Sequence, residues 1–380
     1  MTSFALSGAR IFDGHDWHDG KSLVIRDGKV DSITATVPAG IEVRKSSGML
    51  VPGFVDLQVN GGGGLMINDK PDADTIRTIC AAHAPFGTTS LLVTLITDTP
   101  EQTKKTIAAG AEALRQGVPG FLGLHLEGPH LSVARKGAHD PKLIRPMLDA
   151  DQAVILEARQ KVPALLVTVA PESVAPEQIK ALANAGVVVS LGHTDTSYAT
   201  AITCIESGAS MATHLFNAMS QLGNREPGMV GAALDSNINA GLIADGIHVD
   251  PATIGVALRA KSGPGRIFLV TDAMATIGTD MTSFELNGRT IYRANGSLRL
   301  ADGTLAGADL DMISAVRFMH REIGLDLGDA IRMASLYPAE AMGVADCVGR
   351  LGSGTRADFA QLGDDLDVTG VWIGGQKVAG

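Results

Sequence analysis

The sequence predicts an α/β fold: a (β/α)8 TIM-like barrel over residues 52–348, inserted into a small β-sandwich built from both ends, residues 1–51 and 349–380. Three observations predict it. Apolar, β-branched runs alternate with helix-like segments through the middle of the chain, whereas both ends are short alternating stretches broken by glycine turns. Residue types capable of chemistry recur where several of the apolar runs end, as they do at the carboxyl mouth of a parallel barrel.

Near the amino end, SLVIRDGKVDSIT alternates, and Asp-Gly pairs at 13–14, 19–20 and 27–28 give a pattern of hairpins. The central strands then read GFVDLQVN, TTSLLVTLIT, FLGLHLEG, ALLVTVAPE, VVVSLGHTD, MATHLFNAM, INAGLIADGIHV and RIFLVTDAM. Between them lie segments such as DADTIRTICAAHAPFG and PEQTKKTIAAGAEALRQG, each with an acidic first turn that suits the helix dipole and a Gly at the end. Eight such units in about 300 residues match a closed barrel in size and period. A doubly wound open sheet would bind at one switch point, and candidate chemistry here recurs at many strand ends. After the eighth strand, MTSFELNGRTIYRANGSLRLADG carries two Asn-Gly pairs and reads as a hairpin excursion, followed by the helix ADLDMISAVRFMHREIG. The tail returns to short strands with Gly-rich turns. Neither end holds a core alone, so the two are most stable packed together.

A chain of 380 residues, 45% hydrophobic and 19% charged, buries a large core. Its net charge of −10 argues against a nucleic-acid or anionic-membrane partner, because binding phosphate backbones needs a positive field. Cys80, Cys204 and Cys347 are too few and too scattered for a disulfide framework, which fits a reducing compartment; all three read as buried, inert thiols. The amino end lacks the pattern of an export signal, and no run reaches about eighteen apolar residues. A cytoplasmic location is the expectation.

Glu127, His193, His214 and Asp272 stand at the ends of GLHLEGPH, VVVSLGHTD, MATHLFNAM and RIFLVTDAM. A lone His at a strand end is more often a hydrogen-bonded core residue than a ligand, and a lone Asp more often caps a helix. Two imidazoles on adjacent strands, with a carboxylate two strands earlier, instead make an incomplete metal shell, and the spare carboxylate suits a general base. His125 lies on the same strand face as Glu127, one pleat deeper, and is expected to be structural. His130 and His139 fall in the following loop, where solvent exposure is the default; His139 is the exception taken up below. The run Gly61 to Gly64 lacks a P-loop Lys-Ser/Thr, so a flexible turn at the mouth suffices for it.

In this order and at these intervals, VPGFVDLQVNGGGG, LHLEGPH, GHTD, THLFNAM, DGIHVD and LVTDAM resemble the N-acetylglucosamine-6-phosphate deacetylases of the amidohydrolase superfamily, over essentially the whole chain. The resemblance implies one divalent metal ion per subunit, held by Glu127, His193 and His214, with zinc first and iron, cobalt or manganese also suited to the set. It implies Asp272 as acid/base and His139, in KGAHDP, as donor to the oxyanion. It further implies sugar phosphate binding by Ala138, His139, Asn217, Ala218, Arg225 and His248, with Arg225 reaching the active site of a neighbouring subunit in a homodimer. Many other amidohydrolases carry His-x-His on the first strand for a second metal. Gln58 and Asn60 replace it here and, as neutral amides, favour single occupancy. Gly62 stands where the family often has Cys, which removes a thiolate ligand there.

Two rival readings remain at this stage. A dihydroorotase-like or N-acyl-amino-acid hydrolase would favour the first-strand His-x-His and a modified Lys on the fourth strand, and ALLVTVAPE has no Lys. A metal-free scaffold barrel would have lost one of the four site residues, and none is lost.

Overall fold

The computed structural model describes residues 3–380. The apolar runs form one eight-stranded sheet: β1 (Phe54–Val59), β2 (Thr88–Ile96), β3 (Phe121–Glu127), β4 (Leu165–Val169), β5 (Val188–Leu191), β6 (Met211–Ala212), β7 (Asn239–Leu242) and β8 (Ile267–Leu269). Sequence neighbours are sheet neighbours throughout, and all these pairs are parallel. All nine residues of β2 are buried, as a strand must be when helices cover one face and the barrel interior the other.

The sheet closes on itself. The Asp272 N–H donates to the Gln58 carbonyl at 3.0 Å and the Asn60 N–H to the Ala273 carbonyl at 2.8 Å, joining the chain beyond β8 to β1. Asp56 pins this seam from inside, its carboxylate accepting from the Thr271 hydroxyl at 2.5 Å and from the N–H groups of Thr271 and Gln58 at 3.2 Å. Burial pushes that carboxyl up to about 7, with the hydrogen bonds from Thr271 and Gln58 pulling the other way.

Helices form where their caps announce them. Ala73–His83, Pro100–Arg115 and Met312–Arg321 begin after Asp72, Thr99 and Asp311, whose side chains each accept the N–H three residues on. The chain leaves the first two through Gly87 and Gly117 at positive φ.

Both ends meet in two further sheets. One contains Ser3–Ser7, Ser22–Arg26, Lys29–Thr34 and Glu42–Lys45; the other joins Arg10–Phe12, Trp17–His18 and Met49–Pro52 to Phe359–Leu362, Val368–Ile373 and Gln376–Ala379. Phe4, Ile11, Leu23, Ile25, Phe359 and Trp372 fill a core separate from that of the barrel. Asp27-Gly28 forms a two-residue hairpin with φ of 50° and 75°, and Asp13-Gly14 lies in the turn that joins Phe12 to Trp17. Asp19-Gly20 departs from expectation, because the strands flanking it lie in different sheets. A sandwich needs such crossings, and a glycine at φ 67° makes this one.

The Asn-Gly excursion is a four-stranded antiparallel sheet of Ser283–Leu286, Arg289–Ala294, Ser297–Arg299 and Leu305–Ala308. It is tied to the barrel by the Ala308 N–H, which donates to the Asp272 carbonyl at 2.9 Å. Of the three free thiols, Cys80 and Cys204 are buried as expected, but Cys347 is exposed, because it falls in a surface turn beyond the helix Leu336–Ala341. Among the described residues no helix is long and apolar enough to cross a membrane.

Candidate active site

A layer of small polar side chains crosses the barrel beneath its mouth. His125 occupies the middle of it, Nδ1 lying 3.1 Å from the Thr94 hydroxyl and Nε2 2.7 Å from that of Thr168, which continues to Thr213 and Ser190 at 2.7 and 2.6 Å. Both ring nitrogens are spoken for, so His125 supports the site from below, as its position one pleat deeper implies. Burial depresses its imidazole to about 4, keeping it neutral.

Above this layer the four singled-out residues converge. Glu127 is the last residue of β3, but β5, β6 and β8 stop two to three residues before His193, His214 and Asp272. These three have φ of 48°, 26° and 52°, a left-handed backbone that costs non-glycine residues on the order of 1 kcal/mol or more each and is typical of functional sites. The apolar runs therefore overstate the strands. The chain has already turned when it reaches the polar residue.

Glu127 Oε1 lies 3.2 Å from Nε2 of both His193 and His214, and those two nitrogens are 3.1 Å apart. A tetrahedral ion with bonds of about 2.0–2.1 Å spaces its ligand atoms by about 3.3–3.4 Å, so the donor set fits a divalent ion such as zinc. His193 is oriented for it. Its Nδ1 lies 2.9 Å from the Arg135 carbonyl, which can only accept, so the proton sits on Nδ1 and the Nε2 lone pair faces the cluster. A second, looser group of Glu127, His139 and His193 offers ligand atoms within 4.8 Å, but His139 Nε2 is 3.9 Å from Glu127. The shorter and more even spacing belongs to the set with His214. Burial works against charge on Glu127, yet the closeness of the His193 and His214 imidazoles outweighs it and holds the carboxyl well below its usual range.

Gln58 and Asn60 face the same place from β1 and its end. Asn60 Nδ2 donates to Asp272 Oδ1 at 2.6 Å, and Gln58 Nε2 donates both to that oxygen at 3.1 Å and to Glu127 Oε1 at 3.0 Å. The Gln58 amide thus bridges the two carboxylates by N–H donation, and the Asn60 amide adds a second donor to Asp272. Burial, reinforced by the charge of Glu127, pushes the Asp272 carboxyl up.

Asn60, Glu127, His193, His214 and Asp272 line a cavity of about 510 Å³ together with Ala138, His139, Asn217, Ala218 and His248. His248 is held by Asp245, whose Oδ2 lies 2.6 Å from its Nδ1 and whose Oδ1 accepts the N–H groups of Ile247 and His248. Arg225 is not brought in: it sits on the exposed stretch 221–226, outside its own chain's cavity. His130 corrects the expectation of exposure, being buried with Nδ1 3.1 Å from the Arg145 carbonyl, because the loop after β3 folds back against β4. The glycine run is likewise no flexible turn. Gly61–Gly62 pairs with Leu65–Met66, His83 Nε2 lies 2.9 Å from the Gly61 carbonyl, and a methyl on Gly61 would meet the Leu65 carbonyl at 2.4 Å.

Reading the sequence missed Arg135 and the wall supplied by Arg299, Thr304, Leu305 and Gly307 of the excursion. A hairpin reads as surface until its docking is known. Gly307 permits the approach: it has φ of 64°, and a Cβ there would lie 2.5 Å from Met274 Cγ and 2.9 Å from the Asp272 carbonyl.

The amidohydrolase family pattern matches residues 49–378. N-acetylgalactosamine-6-phosphate deacetylase of Shewanella sp. (strain ANA-3) is 43% identical over 99% of this chain and 96% of its own, and N-acetylglucosamine-6-phosphate deacetylase of Haemophilus influenzae is 32% identical over 98% of each. The crystal structure of N-acetylglucosamine-6-phosphate deacetylase from Pasteurella multocida superposes with a TM-score of 0.94 at 35% identity, covering 99% of both chains. With a closed barrel, a carboxylate–imidazole cluster at its mouth and relatives that match from end to end, this chain belongs to the amidohydrolase family.

Proposed function

We propose that the protein hydrolyses the acetamide of N-acetylglucosamine 6-phosphate to glucosamine 6-phosphate and acetate. The observation that carries this reading is the cluster of Glu127, His193 and His214, spaced at 3.1–3.2 Å, with Asp272 beside it in one cavity. A divalent ion held by those three residues, zinc on this reading, supplies Lewis acidity and lowers the pKa of water from 15.7 toward about 7.

Asp272 moves the proton. Its Oδ1 is taken by Asn60 and Gln58, which leaves Oδ2 to accept the proton of the attacking water and return it to nitrogen as the C–N bond breaks. The acyl carbon gains the oxygen and leaves as acetate, and the amine stays on the sugar. His139, from the cavity wall, donates to the carbonyl oxygen as it becomes negative. His248 and the main chain of Asn217 and Ala218 form the phosphate end of the cavity. Such an anion needs local positive charge on a protein of net charge −10. Arg225 supplies it from a second copy in a homodimer: the residue is exposed, outside its own cavity, and near Leu222, a large apolar side chain that is 56% exposed. The three free thiols fit a reducing cytoplasm.

The test is acetate release from N-acetylglucosamine 6-phosphate and from the unphosphorylated sugar. A strong preference for the phosphorylated sugar is expected; equal turnover would remove the phosphate from the reading. The 4-epimer, N-acetylgalactosamine 6-phosphate, is a second reading favoured by one observation, the 43% identity to a deacetylase named for it. The higher kcat/KM between the two epimers decides.

Arg225→Ala is expected to raise KM for the phosphorylated sugar by about tenfold to a hundredfold, the worth of a charged hydrogen bond, with KM for the unphosphorylated sugar unchanged. An unaltered KM on both sugars would end the phosphate role.

A further inference from the structure

We infer that Thr97, which none of the chemistry above employs, is a positioning residue that holds His139 in the tautomer with its proton on Nε2. The inference rests on the proposed role of His139 as donor to the substrate carbonyl. Thr97 follows the last residue of β2 and is buried, and its main-chain N–H donates to His139 Nδ1 at 3.2 Å. A main-chain N–H cannot accept. Nδ1 must therefore offer a lone pair, which excludes both the Nδ1–H tautomer and the imidazolium and leaves the proton on Nε2. The Thr97 hydroxyl stands 2.7 Å from the same nitrogen and can donate as well.

Two neighbouring features bear on this arrangement. A Cβ on Gly128 would lie 2.3 Å from the Thr97 hydroxyl oxygen, so the residue after Glu127 leaves room for that hydroxyl. His193, whose ring centroid is 4.4 Å from that of His139, is set the opposite way by the Arg135 carbonyl. One carbonyl and one N–H thus divide two adjacent imidazoles into a lone-pair donor for a cation and an N–H donor for an oxyanion. Were His139 reversed, its Nε2 would turn a lone pair toward Glu127 and His193, with which its ligand atom already lies within 4.8 Å. It would then join the ligands and leave the oxyanion without its donor.

The experiment uses the full-length protein labelled with ¹⁵N-histidine, with the His139 signals assigned by loss in His139→Gln. Long-range ¹⁵N–¹H correlation reads the tautomer directly, and acetate release from N-acetylglucosamine 6-phosphate is measured alongside. Wild type should carry the proton on Nε2. Thr97→Val keeps the main-chain donor and loses the hydroxyl; the proton should stay on Nε2, while kcat falls on the order of tenfold, about one hydrogen bond, with KM within twofold. Thr97→Ser should restore kcat. A proton on Nδ1 in wild type or in Thr97→Val overturns the inference. A proton on Nε2 in both proteins with kcat unchanged in Thr97→Val upholds the main-chain N–H as what sets the tautomer and removes the hydroxyl from the arrangement.

Discussion

Asp272→Asn is expected to lower kcat for acetate release by about 10²–10⁴-fold, the span that a general acid–base group contributes, while the protein folds and retains its metal. The substitution removes basicity with little change of shape. Asn60 and Gln58 both donate to Oδ1 of Asp272, and an amide oxygen in its place accepts the same two bonds, so the side chain keeps its position. What vanishes is the capacity of the second atom to take a proton from water and hand it to the departing nitrogen. Metal content, measured on the purified variant, separates this from loss of the site. Near-native kcat with full metal would remove Asp272 from the proposed mechanism, and loss of metal would make it a ligand instead.

Chelation is expected to abolish turnover, and adding back zinc to restore it. At neutral pH the hydroxide available from unassisted water is lower on the order of 10⁸-fold than from water whose pKa is near 7, so residual activity should fall below detection. His214→Ala tests the ligand assignment itself. If Glu127, His193 and His214 form the shell, one of three donors spaced at 3.1–3.2 Å is gone and metal stoichiometry should drop. If His139 is the third ligand, as the looser group within 4.8 Å allows, His214→Ala keeps its metal and His139→Ala loses it.

Strand order and closure were legible because burial on both faces leaves runs such as TTSLLVTLIT with no charged residue at all, and because eight such units leave few ways to pair. The first two helices were legible in an acidic first turn and a closing glycine, Gly87 and Gly117, because both signals are local. Candidate chemistry was legible at Glu127, His193, His214 and Asp272 because polar residues that end apolar runs stand out. Strand ends were not, since uncharged residues continue past Leu191, Ala212 and Leu269 until the backbone turns left-handed at His193, His214 and Asp272.

The sequence by itself determined the barrel, the meeting of both chain ends in a sandwich and the short set of residues worth asking about, all properties of periodicity, burial and local hydrogen bonding. Only the tertiary structure decided what each of those residues does for its neighbours. It turned Gln58 and Asn60 into donors to Asp272, buried His130, locked the glycine run, left Arg225 outside its own cavity and swung the excursion over the mouth with Arg299 and Thr304. Each of these depends on which atoms from distant strands lie within hydrogen-bonding or van der Waals range. No window of sequence contains that information, because the partners are joined by closure of the barrel and not by the chain between them.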